Sequence, residues 1–327
     1  LSQHNRSTEA LNFLTQGERQ VQEDQDRFYL RFLLLKLLAR EPSWTPQRGR
    51  TQIGALFRVR NRDRDVLKQV TGWMEEQSKG ANRESWVQVL RTECRAGLDR
   101  PLAALLLSAL AADLPDKAED DLRQGWSAPG EGDRICVELA AETLLKTGRV
   151  RWASSACQVL QELPTLRLDG RKLPLMVRVA HAMGDRAVVR EYFAEIIRRS
   201  VPGGVQPVDW AQAFEDVGEP GLARELYQQA LEKLESTQSM QLDLSAAWVR
   251  FLIRHSDFEI AETYLLRHHW MMVNDSAALI FELYQAWGRL PFISNELPKF
   301  HLPAGVEKEV EFLSRRAQSL PPPTPQP

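Results

Sequence analysis

Cysteine and histidine are scarce in this chain of 327 residues, which holds three cysteines and six histidines. The cysteines, Cys94, Cys136 and Cys157, are odd in number and form no Cys-x-x-Cys pair, so we expect no disulfide framework. Each lies in an apolar helical pattern, where a free thiol packs as a small hydrophobe. Such surroundings raise the pKa of a thiol, which argues against Cys136 and Cys157 as nucleophiles.

A strong charge of one sign is also absent. The 42 basic and 44 acidic residues give a formal net charge of −2, whereas a protein that binds polyanions carries a clear basic excess. Arg58, Arg60, Arg62 and Arg64 alternate with other residues, but two aspartates interrupt them and no aromatic stacking platform accompanies them. We interpret this stretch as a solvated turn between helices and predict no nucleic-acid partner.

No apolar run reaches the length that a membrane span needs. The longest candidate, Phe28–Ala39, is interrupted by Arg31 and Lys36, so we expect no direct membrane insertion in this segment. The chain begins at Leu1 rather than Met. We therefore expect a processed form or a piece of a longer protein that belongs to a larger complex, in either the cytoplasm or the bacterial periplasm.

The motifs that mark catalysis are missing as well. The chain has no GxSxG, P-loop, HExxH or GxGxxG motif, and we interpret the acidic run Glu119–Asp121 as an exposed face. His268 and His269, with His255 and two methionines nearby, suggest a metal site, but adjacent helical residues point about 100° apart and rarely bind one ion together. We predict a non-enzymatic protein with no cofactor and no metal.

Proline and glycine divide the chain into segments. The predicted segments are an irregular helical part over 1–115, a linker with an acidic helix and a Gly/Pro loop over 116–134, a repeat array over 135–300, a terminal helix over 301–320 and a disordered proline-rich tail over 321–327. No stretch shows sustained apolar–polar alternation with β-branched residues, so we expect almost no sheet.

A helix–turn–helix pattern repeats around Gly148, Gly184, Gly218 and Ser256, at spacings of 36, 34 and 38 residues. Mostly apolar or small side chains stand four and eight residues before each turn, and five, nine and twelve after it. These offsets place them on one face of each helix, and glycine at the turn adopts the left-handed conformation that ends a helix. One such hairpin cannot bury both faces, so neighbouring hairpins must stack.

The stretch Val208–Leu234 shows the pattern most clearly, and there it resembles the tetratricopeptide repeat (TPR) family. The positions that match the family's turn and helix signatures are Trp210, Phe214, Gly218, Ala223, Tyr227 and Ala230. Weaker copies cover Ile135–Leu163, Leu173–Ser200 and Leu242–Trp270, with partial copies at Val89–Ala109 and Ile280–Phe300.

Two features depart from the family pattern. The small residue seven before the turn is replaced by Val177 and Val249 in two copies, and Pro164 and Pro202 stand out of register after the second helix. A two-helix array without TPR ancestry fits the same residues.

The resemblance implies an all-α, TPR-like fold, a right-handed α-α superhelix (solenoid) of stacked hairpins whose first helices line a concave groove. It also implies a scaffold or adaptor that binds a protein or peptide partner there. The predicted groove residues are Glu142, Arg178, His181, Gln212, Glu215, Arg250 and Arg254, and the arginines could clamp carboxylates.

Three other functions stay open. The first is a structural helical-repeat segment of a larger bacterial envelope assembly, such as one for exopolysaccharide secretion. The second is an RNA-binding helical repeat, which the charge disfavours. The third is a subunit of an enzyme whose catalytic part lies outside this chain.

Overall fold

The computed structural model of the chain is helical throughout, with no strand in the part of the chain that it describes. The described residues are 13–14, 16–18, 20–41, 43–59, 62–127, 129, 133–162, 172–198, 207–237, 242–268, 276–302 and 304–318. The prediction of an all-α fold is therefore confirmed. None of the helices in these ranges is long and apolar enough to cross a membrane.

The chain divides into two compact units, Leu1–Ala194 and Glu195–Pro327. The helices of the first unit are α1 (Asp24–Leu38), α2 (Arg50–Phe57), α3 (Arg64–Gln77), α4 (Arg83–Ala96), α5 (Arg100–Ser108), α6 (Ala118–Trp126), α7 (Arg134–Lys146), α8 (Val150–Glu162) and α9 (Lys172–Ala182). Helix α10 (Arg186–Arg198) contains the boundary between the units.

An aromatic cluster forms the core beneath the first helices of this unit. Trp73 of α3 meets Trp86 of α4 edge-on with ring centroids 5.6 Å apart, and Phe32 of α1 packs against Trp73 at the same distance. Trp44, from the loop before α2, lies 5.7 Å from Trp86. Edge-on aromatic pairs stabilise a core beyond the area that they bury, so these rings hold α1, α3 and α4 together.

Helix α5 is buried along nearly its whole length, since every residue from Pro101 to Ser108 is buried. It contacts α4, α6 and α7, which agrees with the rule that a helix apolar on all sides is covered on all sides. At Gly125 of α6 the two backbones approach so closely that an added Cβ would lie 2.6 Å from the Cβ of Ala104.

Helix α6 lies in the stretch 116–134 that the sequence predicts as a linker with an acidic helix. It packs against α4, α5 and α8, and its Leu122 and Trp126 are fully buried. The division of the chain at 116–134 stays a prediction, but the helix within it belongs to the core of the first unit.

The helices of the second unit are α11 (Pro207–Asp216), α12 (Pro220–Thr237), α13 (Leu242–Arg254), α14 (Phe258–His268), α15 (Ser276–Ala286), α16 (Ile293–Glu296) and α17 (Ala304–Gln318). We call the helix before each glycine or serine turn a first helix and the helix after it a second helix. The first helices α11, α13 and α15 contact one another in order, the second helices α12 and α14 each contact the next first helix, and α17 packs on α15. The rings of Tyr227, Trp248 and Phe251 pack together at the α12–α13 contact, with centroids 5.3 to 5.6 Å apart.

The repeated turns share one backbone geometry. Gly148, Gly184 and Gly218 have φ of +77°, +79° and +74°, and Ser256 has φ of 60°. In each turn this residue donates to the carbonyl three residues before it, and the next residue donates to the carbonyl five before itself. That pair of hydrogen bonds is the Schellman motif, which ends a helix by satisfying its last carbonyls. The predicted turn positions are confirmed.

A fifth copy of this turn lies at Gly288, whose φ is +70°. It falls 32 residues after Ser256, inside the partial copy Ile280–Phe300 that the sequence predicts. Its second helix is broken into a 3-10 turn, the short helix α16 and another 3-10 turn, because Pro291 and Pro298 cannot donate helical hydrogen bonds. The side chains five, nine and twelve residues after the turn are nevertheless buried: they are Ile293, Leu297 and Phe300.

Candidate functional site

Arg62 joins the amino-terminal ends of three helices in the first unit. Its Nη1 and Nη2 donate to Oδ2 and Oδ1 of Asp99 at 3.0 and 2.9 Å, and its Nε donates to Oδ1 of Asp133 at 2.9 Å. Asp99 also caps α5 by accepting the Leu102 N–H. The three charged side chains are only 15%, 1% and 5% exposed. The interpretation of Arg62 as part of a solvated turn is therefore wrong.

Arg64 donates hydrogen bonds to two carboxylates of α7. One of them belongs to Glu142, the first of the predicted groove residues. Its Nη1 donates to buried Glu138 at 2.9 Å, and its Nη2 donates to Glu142. Arg134 donates to the other oxygen of Glu138 at 2.6 Å. Glu142 therefore ties α3 to α7, and the solvated-turn interpretation is wrong for Arg64 as well.

Two further predicted groove residues lie on α9. His181 is exposed and Arg178 is partly buried. Residues three apart on a helix lie on neighbouring positions of its surface, so these two side chains project from a common face of α9.

The second unit brings together the remaining predicted groove residues, beginning with Glu215 of α11. Arg254 of α13 donates its Nε and Nη2 to the two oxygens of Glu215 at 2.8 and 2.6 Å, and the Nε2 of His255 lies 3.1 Å from the same carboxylate. Partial burial opposes ionisation of Glu215, but the hydrogen bonds and charges of Arg254 and His255 outweigh it and lower its pKa.

A second ion pair continues this face from α13 to α15. The Nε of Arg250 donates to Glu282 at 3.2 Å, and both side chains stay about two-fifths exposed, at 41% and 40%. Within α11, Gln212 donates to Asp216 at 2.8 Å. We define the first-helix face of the second unit by these residues, which are Gln212, Glu215, Asp216, Arg250, Arg254, His255 and Glu282.

Glu282 is the member of this face that the sequence analysis did not single out. It stands six residues before Gly288, and Arg250 stands six before Ser256. Counting the same offset from the fifth turn would have identified it.

The acidic run of α6 divides between the surface and the interior. Asp120 is exposed, but Asp121 is buried and accepts hydrogen bonds from Arg91 and Arg95 of α4. The interpretation of the run as an exposed face is therefore wrong for Asp121. Its two oxygens are each bound to one arginine, so Asp121 holds α6 against α4.

The three cysteines are buried and carry free thiols. Burial raises the pKa of the Cys136 thiol to about 12 and raises that of Cys94 as well. A thiol in this state is a poor nucleophile, as the sequence analysis expects for Cys136.

The histidine cluster is only partly described. The ring of His268 packs at a tilt against that of Tyr264, with centroids 4.5 Å apart, while His269 and the two methionines after it lie outside the described residues. Among the residues that the structure describes, no three His, Cys, Asp or Glu side chains form a group that could hold a metal ion.

These contacts define an all-helical protein made of paired helices that end in a common turn. Comparison of the chain with protein-family models, with curated proteins and with solved structures finds no match. The TPR resemblance therefore stays a prediction.

Proposed function

We propose that this chain is a non-enzymatic scaffold that binds a peptide segment of a protein partner along the first-helix face of the second unit. On this proposal α11 to α15 form a TPR-like, right-handed superhelical stack, and the first helices line its inner surface. The lateral contact of three first helices, tied by ion pairs between polar side chains, is the observation that carries the proposal.

The ion pairs suit this face to recognition because they fix side chains that would otherwise be mobile. Arg254 is held by a two-pronged bond to Glu215, and Arg250 is held by Glu282. A partner then meets oriented charges and loses less side-chain entropy on binding. Arg250 and Glu282 are the most informative members, since both remain partly exposed.

The charge of the second unit indicates the chemistry of the partner. Residues 195–327 hold 18 of the 44 acidic and 12 of the 42 basic residues, an excess of six acids. The first-helix face follows this trend, with three carboxylates against two arginines. Because acidic residues outnumber basic ones in the unit and on this face, we propose a partner segment that is basic in net charge, rather than the acidic one that a carboxylate-clamping groove implies.

Selection of short random peptides displayed on phage, with the full chain as bait, tests this proposal. We expect enrichment of basic peptides, and we expect Glu282→Arg to weaken their binding about tenfold or more by removing a charge-assisted contact. Glu225→Arg is the matched control, because Glu225 is an exposed residue of the second helix α12. Unchanged circular dichroism should show that both variants fold.

Equal binding of the selected peptides to the Glu282→Arg and Glu225→Arg variants would contradict the proposal. So would enrichment of acidic peptides alone, or the absence of any enriched peptide. Equal binding would mean that peptides bind away from the first-helix face. Acidic peptides alone would mean that the proposed partner chemistry is wrong, and no enriched peptide would mean that the chain does not capture peptides.

A further inference from the structure

A cleft on the outer face of α4 collects three arginines of the first unit. It has a volume of ≈ 580 Å³, and its lining residues are Arg83, Glu84, Val87, Gln88, Arg91, Thr92 and Arg95 of α4, with Leu114 and Pro115 of the loop before α6. Arg91 and Arg95 stand one helical turn apart, so their guanidinium groups are neighbours on this face.

A single buried carboxylate orients these two guanidinium groups. Asp121 accepts from the Nε of Arg91 on one oxygen and from the Nε of Arg95 on the other. The side chain of Asp121 is 1% exposed, whereas Arg91 and Arg95 are 27% and 55% exposed. The carboxylate thus lies behind the arginines, and the arginines face the cleft.

The remaining donors of both arginines are available for a ligand. An arginine has five N–H donors, and in the described part of the chain Arg91 and Arg95 each use only the Nε donor. Gln88 supplies a further donor, since its Oε1 accepts from Gln47 at 3.1 Å while its own amide N–H groups stay unused. The cleft therefore presents two fixed guanidinium forks and an amide.

We propose that this cleft binds the phosphate group of a phosphorylated side chain on a peptide. A phosphate dianion offers three acceptor oxygens, which suits two arginine forks better than a single carboxylate with two oxygens. Val87, Leu114 and Pro115 border the arginines and provide an apolar surface for the carbon atoms of the peptide.

The role of Asp121 separates this site from a general basic patch. The three arginines of the cleft, with Glu84 and Asp121, carry a net charge of only +1. Long-range attraction of a phosphate is therefore weak, and the orientation of the donors must supply the affinity. If Asp121 orients the two arginines, Asp121→Asn should lower the affinity of the cleft for phosphate, although that change makes the cleft more positive.

The site does not depend on the proposed function, because it lies in the first unit and uses none of the first-helix face. Charge reversal at Glu282 should therefore leave binding in this cleft unchanged. Failure of one proposal leaves the other intact.

The test is a titration of the full chain with a degenerate peptide library that carries a fixed phosphoserine, compared with the same library carrying serine. Fluorescence anisotropy should show binding of the phosphorylated library only. Arg95→Gln should weaken it about tenfold or more, while Lys79→Gln, which removes one exposed charge outside the cleft, should not change it.

Asp121→Asn should also weaken binding of the phosphorylated library. Where that variant does not fold, Arg95→Lys provides the test, because lysine keeps the charge and loses the fork.

Several outcomes would overturn the proposal. Three concern the peptides: equal binding of both libraries, phosphopeptide binding that survives Arg95→Gln, and tighter binding by a folded Asp121→Asn variant. Two concern other ligands: binding of inorganic phosphate without binding of the phosphopeptides, and binding only to vesicles that contain phosphoinositides. The last two would assign the cleft to a free anion or to a lipid headgroup.

Discussion

Arg254 donates two hydrogen bonds to Glu215, a residue 39 positions earlier in the chain and on the preceding first helix. The sequence pattern predicts both residues in a partner-binding groove. In the structure they bind each other and connect α11 to α13. Recognition and architecture therefore share the same side chains on this face, and a substitution here acts on both.

The Glu215–Arg254 pair predicts a dependence of stability on pH. The pKa of Glu215 is lowered from 4.5 in the folded chain, so the pair stabilises the fold above about pH 4.5 and loses its effect as the pH falls through the lower folded value. We expect Glu215→Gln to reduce the free energy of unfolding at neutral pH, and this reduction to shrink as the pH falls from neutral to below about 4.5. Urea unfolding of both proteins across this range measures it.

A second variant checks that this effect comes from the pair. In the Glu215→Gln background, Arg254→Gln should cost less stability than it does alone, because its partner is already neutral. A difference between the wild type and Glu215→Gln that stays constant with pH would contradict the assignment.

Replacement of glycine by alanine should change the stability of the chain in opposite directions at Gly218 and at Gly221, three residues later. Gly218→Ala forces a Cβ into φ of +74° and should destabilise the chain by about 1–2 kcal/mol. Gly221→Ala lies inside α12 with open space around it and should stabilise by about 0.5–1 kcal/mol. Ser256→Gly relieves the left-handed strain at a fourth turn and should stabilise by up to about 1 kcal/mol. Chemical denaturation of the three variants decides this, and an equal sign for both alanine changes would refute the argument.

The turns could be predicted from sequence because their cause is local. A glycine at Gly148, Gly184 or Gly218 followed by a new apolar face is enough to end one helix and start the next. The same local rule applies at Gly288, where prolines interrupt the second helix but leave its buried positions in register.

The ion pairs could not be predicted in this way, because they join residues far apart in the chain. Arg62 and Asp133 are separated by 71 positions, and Arg64 and Glu142 by 78. From sequence alone, a charged side chain next to a turn resembles solvated surface, and only the packing of α3 against α7 brings the partners together. The pattern therefore predicts Glu142 for the groove but gives no sign of its ion pair with Arg64.

The close approach of α5 and α6 predicts a compensating pair of substitutions. Gly125→Ala would place a Cβ 2.6 Å from that of Ala104 and should destabilise the first unit by about 1–3 kcal/mol through overpacking. Ala104→Gly removes the obstructing methyl group, so the double variant should regain part of that loss. A double-mutant cycle by urea unfolding measures the coupling. Additive effects of the two changes would show that the helices can move apart without cost.

The Arg62 cluster predicts the largest single loss of stability. Arg62→Met leaves the side chains of Asp99 and Asp133 buried, at 1% and 5% exposure, without the guanidinium group that binds both. Removing one partner of a buried ion pair costs about 3–5 kcal/mol, because the other charge stays in a medium that solvates it poorly. The matched control is Arg315→Met, whose pair with Glu311 is solvent-exposed and should contribute about 0.3–0.5 kcal/mol. Urea midpoints of the two variants give the comparison. Similar small losses would mean that water or nearby donors satisfy the carboxylates of α5 and α7, and that Arg62 is not what joins the ends of these helices.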